Sequence, residues 1–203
     1  MQASLHHENN MSVLIIGLVL FLGLHSVRIF AEPWRTAQIA KRGAGAWKGI
    51  YSLLSFAGLA PIIWGYGEAR LEPTVLWASP TWTRHLAALL VLIAFVLLAA
   101  AYVPNNGIRY RVHHPMVLGV KVWAFAHLLA NNTLADVLLF GSFLVWAVLD
   151  FRAARQRDRV GRVSYSPGTL GGTLSTVVVG IAAWALFAFW AHRWLFGVGP
   201  FGA

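Results

Sequence analysis

Two histidines lie inside long apolar stretches of the sequence, where an ionisable side chain is costly and is therefore a functional candidate. They occur in Gly23-Leu24-His25-Ser26-Val27-Arg28 and in Trp123-Ala124-Phe125-Ala126-His127. The chain has no cysteine, which excludes disulfides, iron–sulfur clusters and thiolate metal sites. Two neutral imidazoles on different helices are the axial ligand set of a b-type haem, so the pattern predicts His25 and His127 as shared iron ligands. The alternative is a pair of core histidines, each hydrogen-bonded to a neighbouring carbonyl group.

Basic residues accompany both histidines. Arg28 follows His25 by three residues and lies on the same flank of a helix. Before His127, the turn at His114-Pro115 begins a helix on which Lys121 lies two turns further along, on the same face. His114 and Lys121, together with Arg109 and Arg111, predict a positively charged rim site for an anionic group such as a haem propionate, a lipid phosphate or a cofactor carboxylate. A basic collar that contacts lipid headgroups is the alternative.

The elements that must position these residues are membrane spans. Hydrophobic residues make up 58% of the 203 residues and charged residues only 11%, which is too little charge for a soluble surface. The apolar residues form blocks near the length of about 20 residues that a bilayer requires. The sequence therefore predicts an all-α, polytopic membrane bundle of six transmembrane helices, preceded by a disordered extension over residues 1–10. The predicted spans are Met11–Phe30, Ala46–Tyr66, Trp82–Tyr102, Pro115–Asn131, Thr133–Leu149 and Ser175–Leu195.

The net charge of +9 reflects the loops between these spans. Twelve of the 16 Lys and Arg residues fall at the first, third and fifth loops, and only Arg70, Arg84 and Arg193 fall on the other side. By the positive-inside rule, both termini are extracytoplasmic and the basic loops face the cytoplasm. The charge is thus a topology signal with lipid contacts, and no nucleic-acid partner is expected. This distribution predicts a multi-pass membrane protein.

Several motifs together resemble one protein family. They are His25-Ser26-Val27-Arg28, Tyr51-Ser52, Trp64-Gly65-Tyr66, His114-Pro115-Met116 and Trp123-Ala124-Phe125-Ala126-His127-Leu128-Leu129-Ala130-Asn131. On these residues the chain resembles the NnrU family, most closely over residues 11–162, within a transmembrane domain of residues 11–203. Bacterial members of that family are associated with denitrification, in the reduction of nitrite and nitric oxide.

The resemblance also carries expectations about the site. A plant and cyanobacterial branch of the family is 15-cis-zeta-carotene isomerase, an integral membrane protein with haem b. Its haem-ligand histidines match His25 and His127, and a further important histidine matches His114. That branch has a cysteine where this chain has Ala124, a departure that argues against ligand exchange of the kind proposed for the isomerase.

The resemblance therefore implies a haem b protein that serves nitrogen-oxide respiration through a respiratory partner, or an isomerase-like enzyme with an apolar polyene substrate. Two other classes stay open. His114-Pro115-Met116 followed by Gly119 is similar to a signature of membrane methyltransferases that use S-adenosylmethionine, although their distal acidic and arginine elements are missing. A non-enzymatic accessory factor of a respiratory complex is the other alternative. The sequence indicates no particular oligomeric state.

Overall fold

The computed structural model describes the backbone of residues 2–201 and the side chains of residues 11–201. This part of the chain is helical, with two isolated β-bridges and no β-strand. The predicted disordered extension, residues 1–10, lies outside the described side chains. The helices are α1 (Gln2–Phe30), α2 (Glu32–Arg42), α3 (Ala44–Ala69), α4 (Trp82–Tyr102), α5 (Gly107–Val112), α6 (Pro115–Ala130), α7 (Leu134–Gly161), α8 (Leu170–Leu186) and α9 (His192–Phe196), with a π-helical segment (Phe187–Ala191) between α8 and α9.

Five stretches are long and apolar enough to cross a membrane: Met11–Phe30, Ala44–Ala69, Trp82–Tyr102, Leu134–Gly161 and Leu170–Phe196. Large apolar side chains on them face outward; the exposed fractions of Ile16 and Phe56, for example, are 56% and 68%. Such surfaces indicate a lipid environment, since water would disfavour them. Helix α6 is also apolar, but its 16 residues extend only about 24 Å. The structure thus confirms an all-helical protein with five stretches, among the described residues, that could each span a membrane, and the six-span arrangement stays a prediction.

The chain divides into two compact units. The first contains residues 1–77 and 133–146, and the second contains residues 78–132 and 147–203. In the first unit, α1 packs against α3 where two glycines allow the backbones to approach closely. A Cβ atom on Gly17 would lie 2.7 Å from the backbone nitrogen of Ile62, and one on Gly58 would lie 2.8 Å from that of Phe21. Small residues at a helix crossing are a common means of packing in membranes.

In the second unit, α4 packs against α6 and α8. Gly180 on α8 fits against the backbone of Val96, and Gly119 on α6 fits against the carbonyl oxygen of Ala94. The side chain of Asn106 closes the turn after α4, because its amide donates to the carbonyl oxygens of Ala100 and Val103. The contact at Gly119 thus brings the backbone of α6 close to that of α4. Helix α6 begins after His114 and carries Lys121 and His127.

Several helices differ in extent from the sequence prediction, and three of these differences have a clear local cause. The first loop contains a helix, α2, because Pro33 occupies its first turn, where the missing N–H is tolerated, and does not break it. Helix α7 continues beyond Leu149 to Gly161, since the polar residues after Asp150 are compatible with a helix that leaves the membrane. The last span begins at Leu170, where the Thr169 hydroxyl accepts a hydrogen bond from the Gly172 N–H and caps the helix.

Replacing Gly58 with alanine tests the close approach of α1 and α3. The new methyl group meets backbone atoms of α1, so we expect Gly58→Ala to lower the free energy of unfolding by roughly 1–3 kcal/mol. Gly49→Ala on the same helix is the matched control, because a Cβ atom there has open space. Its expected effect is neutral or stabilising, since alanine favours a helix over glycine. Denaturant unfolding in detergent measures both, and equal effects would contradict the crossing.

Candidate functional site

His25 lies on α1 in the first unit, in an aromatic environment. Its Nδ1 donates a hydrogen bond to the carbonyl oxygen of Phe21 over 2.7 Å. The imidazole stacks on the Phe21 ring, with centroids 4.1 Å apart. The rings of Tyr51 and Trp146 approach it edge-on at 5.3 Å and 6.1 Å. Because a carbonyl oxygen can only accept, the proton resides on Nδ1, and Nε2 of the neutral ring carries the lone pair.

Trp146, beside His25, has an unusual indole group. Its Nε1 is buried and has no hydrogen-bond partner in the structure. A buried donor without an acceptor costs about 1–3 kcal/mol, and such a donor in a protein interior calls for an explanation. The neighbourhood of His25 therefore contains a hydrogen-bond donor that the chain itself does not use.

His127 lies on α6 in the second unit and repeats the arrangement of His25. Its Nδ1 donates to the carbonyl oxygen of Trp123 over 2.9 Å, and the two rings lie 5.0 Å apart. The amide of Asn131 donates to the carbonyl oxygen of His127 at the end of the helix. Ala124 and Ala126 are fully buried beside it. In both histidines, therefore, a carbonyl group one turn earlier fixes the Nδ1–H tautomer and the direction of Nε2.

Arg28, predicted to flank the site at His25, lies in the first unit at the end of α1. Its Nε is 3.9 Å from a carboxylate oxygen of Glu32, and its side chain is 58% exposed. An exposed pair of this length contributes little to stability. Arg28 is thus oriented toward the start of α2.

His114, the N-cap residue of α6 in the second unit, has an acidic partner. Its Nε2 donates to Oδ2 of Asp158 over 2.8 Å, and the Tyr165 hydroxyl donates to the same oxygen over 3.1 Å. With His113, these residues form what we term the Asp158 cluster: His113, His114, Asp158 and Tyr165. Desolvation raises the pKa of the Tyr165 hydroxyl above its usual value, and the hydrogen bond to Asp158 and the carboxylate charge raise it further.

His113 is in a strained backbone conformation. Its φ is +64° and its ψ is −48°, while the N–H of His114 donates to the carbonyl oxygen of Val112 over 2.8 Å. This is a γ-turn with a positive φ at its centre, the rarer and more strained of the two forms. The turn stacks the His113 ring on Tyr165 at 4.2 Å. Its buried Nδ1 lies 3.5 Å from Asp158 without forming a hydrogen bond.

Lys121 and His114, predicted to share a rim site, approach the same aromatic ring. The Lys121 ammonium group lies 5.5 Å from the centroid of Phe151, and the His114 ring lies 6.3 Å from it. Phe151 therefore contacts both groups, and each is half-buried. The ammonium group is positioned for a cation–π interaction.

Sequence reasoning missed the acidic and aromatic partners of these cations. Asp158 is 44 residues from His114, and no local pattern indicates that they pair. Asp136 was also missed: it is 5% exposed, and one of its carboxylate oxygens accepts from the Tyr66 hydroxyl over 2.6 Å. Its other oxygen accepts from the Thr133 N–H and hydroxyl, while the Asp136 N–H donates back to that hydroxyl. The one sequence feature that could have indicated the role of Asp136 is its spacing of three residues from Thr133, which resembles a capping box at the start of a helix.

These observations define a helical membrane protein. Two of its histidines, His25 and His127, are each held in the Nδ1–H tautomer by a hydrogen bond to a backbone carbonyl group. The chain belongs to the NnrU family, since the family model described as "NnrU protein" matches residues 13–200. The match includes the last span, beyond the region of closest resemblance seen in the sequence. No curated protein and no solved structure matches the chain.

A double-mutant cycle tests the Asp158 cluster. We expect His114→Ala and Asp158→Ala to be non-additive in the free energy of unfolding, with a coupling on the order of 1 kcal/mol, because either change removes the same charge-assisted hydrogen bond. A cycle between His114 and Asp150 is the control, since Asp150 lies near Arg157 instead. Additive losses in the first cycle would contradict the pairing.

Proposed function

We propose that this NnrU protein binds haem b, with His25 and His127 as the two iron ligands. The observation that carries the proposal is that the two imidazole rings are in the same tautomer. Each donates its Nδ1–H to the carbonyl oxygen one turn earlier, so each directs a lone pair through Nε2. Metal-ligating histidines commonly donate their second nitrogen to a carbonyl oxygen or carboxylate in this way, which fixes the ring and raises its basicity.

The residues around each histidine fit this cofactor. Phe21, Tyr51 and Trp146 supply flat apolar surfaces beside His25, and the indole N–H of Trp146 is a donor suited to a propionate carboxylate. Beside His127, the ring of Trp123 lies 5.0 Å away and supplies a flat apolar surface. Neutral nitrogen ligands and an apolar surrounding suit haem b, which requires no covalent attachment through cysteine.

The chain's own residues supply binding and exclusion of water. The two carbonyl groups hold the imidazoles in position, and the aromatic rings at His25 limit access of water to the ligand. When bound, haem b supplies an iron centre that accepts or donates one electron or binds a small ligand. We therefore propose a role in the electron or ligand handling of nitrogen-oxide respiration, which the association of the family with denitrification supports.

We further propose that the protein crosses the bacterial inner membrane six times, with both termini outside. The support is the concentration of basic residues at the first, third and fifth loops. In addition to the five long stretches, α6 would be the remaining span, the fourth in chain order. The length of its 16 residues, about 24 Å, is less than the bilayer core of about 30 Å. A short span is accommodated by local thinning of the bilayer.

Reporter fusions test this topology. A reporter joined after Asp158 should be active as a cytoplasmic reporter, and one joined at Ala203 should be active as a periplasmic reporter. The basic end of α7 and the terminus after α9 lie on opposite sides of one span, so the two results must differ. If both fusions report the same compartment, the proposed topology is wrong.

Replacement of the histidines tests the haem ligands. Purified protein should show a Soret band typical of low-spin, six-coordinate haem b. We expect His25→Ala or His127→Ala to remove haem or to convert it to a high-spin, five-coordinate form, because one axial nitrogen is lost. Absorption spectra and haem content per chain measure the effect.

The controls for this experiment are His85→Ala and His192→Ala. His192 donates through Nδ1 to the carbonyl oxygen of Val198 near the end of the chain, so its loss should leave the spectrum unchanged. Full haem content with a normal spectrum in the double variant His25→Ala, His127→Ala would refute the assignment of the ligands.

A further inference from the structure

A surface cavity of about 310 Å³, largely open on one side, lies at the end of α7, wholly within the second unit. It is lined by His113, Arg155, Asp158, Arg159, Arg162 and Val163. Neither predicted iron ligand lines it, so it is separate from the proposed function. The charge of its lining and the backbone conformation of two lining residues indicate what it could bind.

The lining is strongly basic. Arg155 and Arg159 are four residues apart on α7, the spacing that places side chains on one helix face, and Arg162 lies just past the end of that helix. Asp158 is the only acidic residue in the lining, and its Oδ2 already accepts from His114 and Tyr165. Three guanidinium groups against one carboxylate leave the cavity positively charged whatever the protonation of His113.

The backbone that holds the cavity is strained at two places. Non-glycine residues with positive φ in the described chain are Asn105, His113 and Arg162; a positive φ is uncommon for any residue other than glycine. His113 and Arg162 both line the cavity. Residues held in such conformations cluster at functional sites, where the surrounding structure maintains them.

The strain at Arg162 is specific to the end of α7. The N–H of Val163 donates to the carbonyl oxygen of Asp158, and the N–H of Arg162 donates to that of Arg159. This is the Schellman pattern, in which the position of Arg162 is usually occupied by glycine. The chain instead has its glycine, Gly161, one residue earlier and places an arginine with a φ of +49° at the left-handed position. Arg162 is thereby one of the residues that line the cavity.

We propose that this cavity binds a phosphate group. Guanidinium forks match phosphate oxygens with two parallel hydrogen bonds, and three arginines line one cavity here. Arg159 also donates to the side-chain oxygen of Gln156 over 2.6 Å. The phosphate belongs either to the headgroup of an anionic phospholipid or to a soluble phosphate compound, and the two sources share this chemistry.

Binding measurements on the full chain test the proposal. Delipidated protein in detergent is titrated separately with short-chain phosphatidylglycerol and with pyrophosphate, at constant ionic strength. We expect saturable binding of at least one probe, weakened about tenfold or more by the triple variant Arg155→Gln, Arg159→Gln, Arg162→Gln. The charge-matched control is Lys41→Gln, Arg42→Gln, Arg152→Gln, none of which lines the cavity. It should change the affinity by less than about twofold.

The two probes distinguish the source of the phosphate. Binding of phosphatidylglycerol alone identifies a lipid headgroup, and binding of pyrophosphate identifies a soluble phosphate compound; either result supports the proposal. Equal weakening in the triple variant and in its control would mean that overall charge attracts the probes, which overturns it. Absence of saturable binding for both probes overturns it as well.

Arg162→Gly separates binding from folding. Glycine removes the strain of the left-handed position, so the melting temperature should rise, while the lost guanidinium group should weaken binding of the phosphate probe about threefold or more. A variant that is more stable and binds less tightly cannot owe its weaker binding to misfolding. Unchanged affinity in Arg162→Gly would contradict the proposal.

Discussion

The hydrocarbon core of a membrane offers no hydrogen-bond partner to a polar group, and this constraint explains most of the structure. Backbone groups are paired within helices, and several polar side chains on the spans follow the same rule. The hydroxyls of Ser26, Ser55 and Thr176 each donate to the carbonyl oxygen four residues earlier. His25 and His127 do the same through Nδ1. The buried indole N–H of Trp146 is the exception noted above.

For an imidazole, this pairing has a chemical consequence that it lacks for a hydroxyl. A serine that donates to a carbonyl oxygen retains only a weak acceptor, whereas a histidine in the Nδ1–H tautomer retains a strong nitrogen ligand at Nε2. The helix geometry that pairs the Nδ1–H groups of His25 and His127 also prepares these rings to bind a metal. The same two hydrogen bonds thus satisfy the Nδ1–H groups inside the membrane and fix the tautomer that the proposed binding of haem requires.

The sequence predicted what depends on composition and local spacing. His25 and His127 were identified because a histidine in an apolar run is conspicuous, and the long spans were identified from their length. Helix α2 was missed because Pro33 indicated a break, although proline is compatible with the first turn of a helix. The pairing of His114 with Asp158 was missed because it joins residues 44 positions apart. Contacts of that kind depend on how helices pack, which periodicity does not specify.

Pulsed electron paramagnetic resonance can count the histidine nitrogens that bind the haem iron. The ferric protein is prepared with all histidines labelled with ¹⁵N, so that a histidine nitrogen bound to the iron is distinguished from the nitrogens of the porphyrin. Ligation by both His25 and His127 predicts two strongly coupled ¹⁵N nuclei in the wild type and one or none in His127→Ala. Wild-type haem that shows a single coupled histidine nitrogen, or none, would contradict ligation by two histidines.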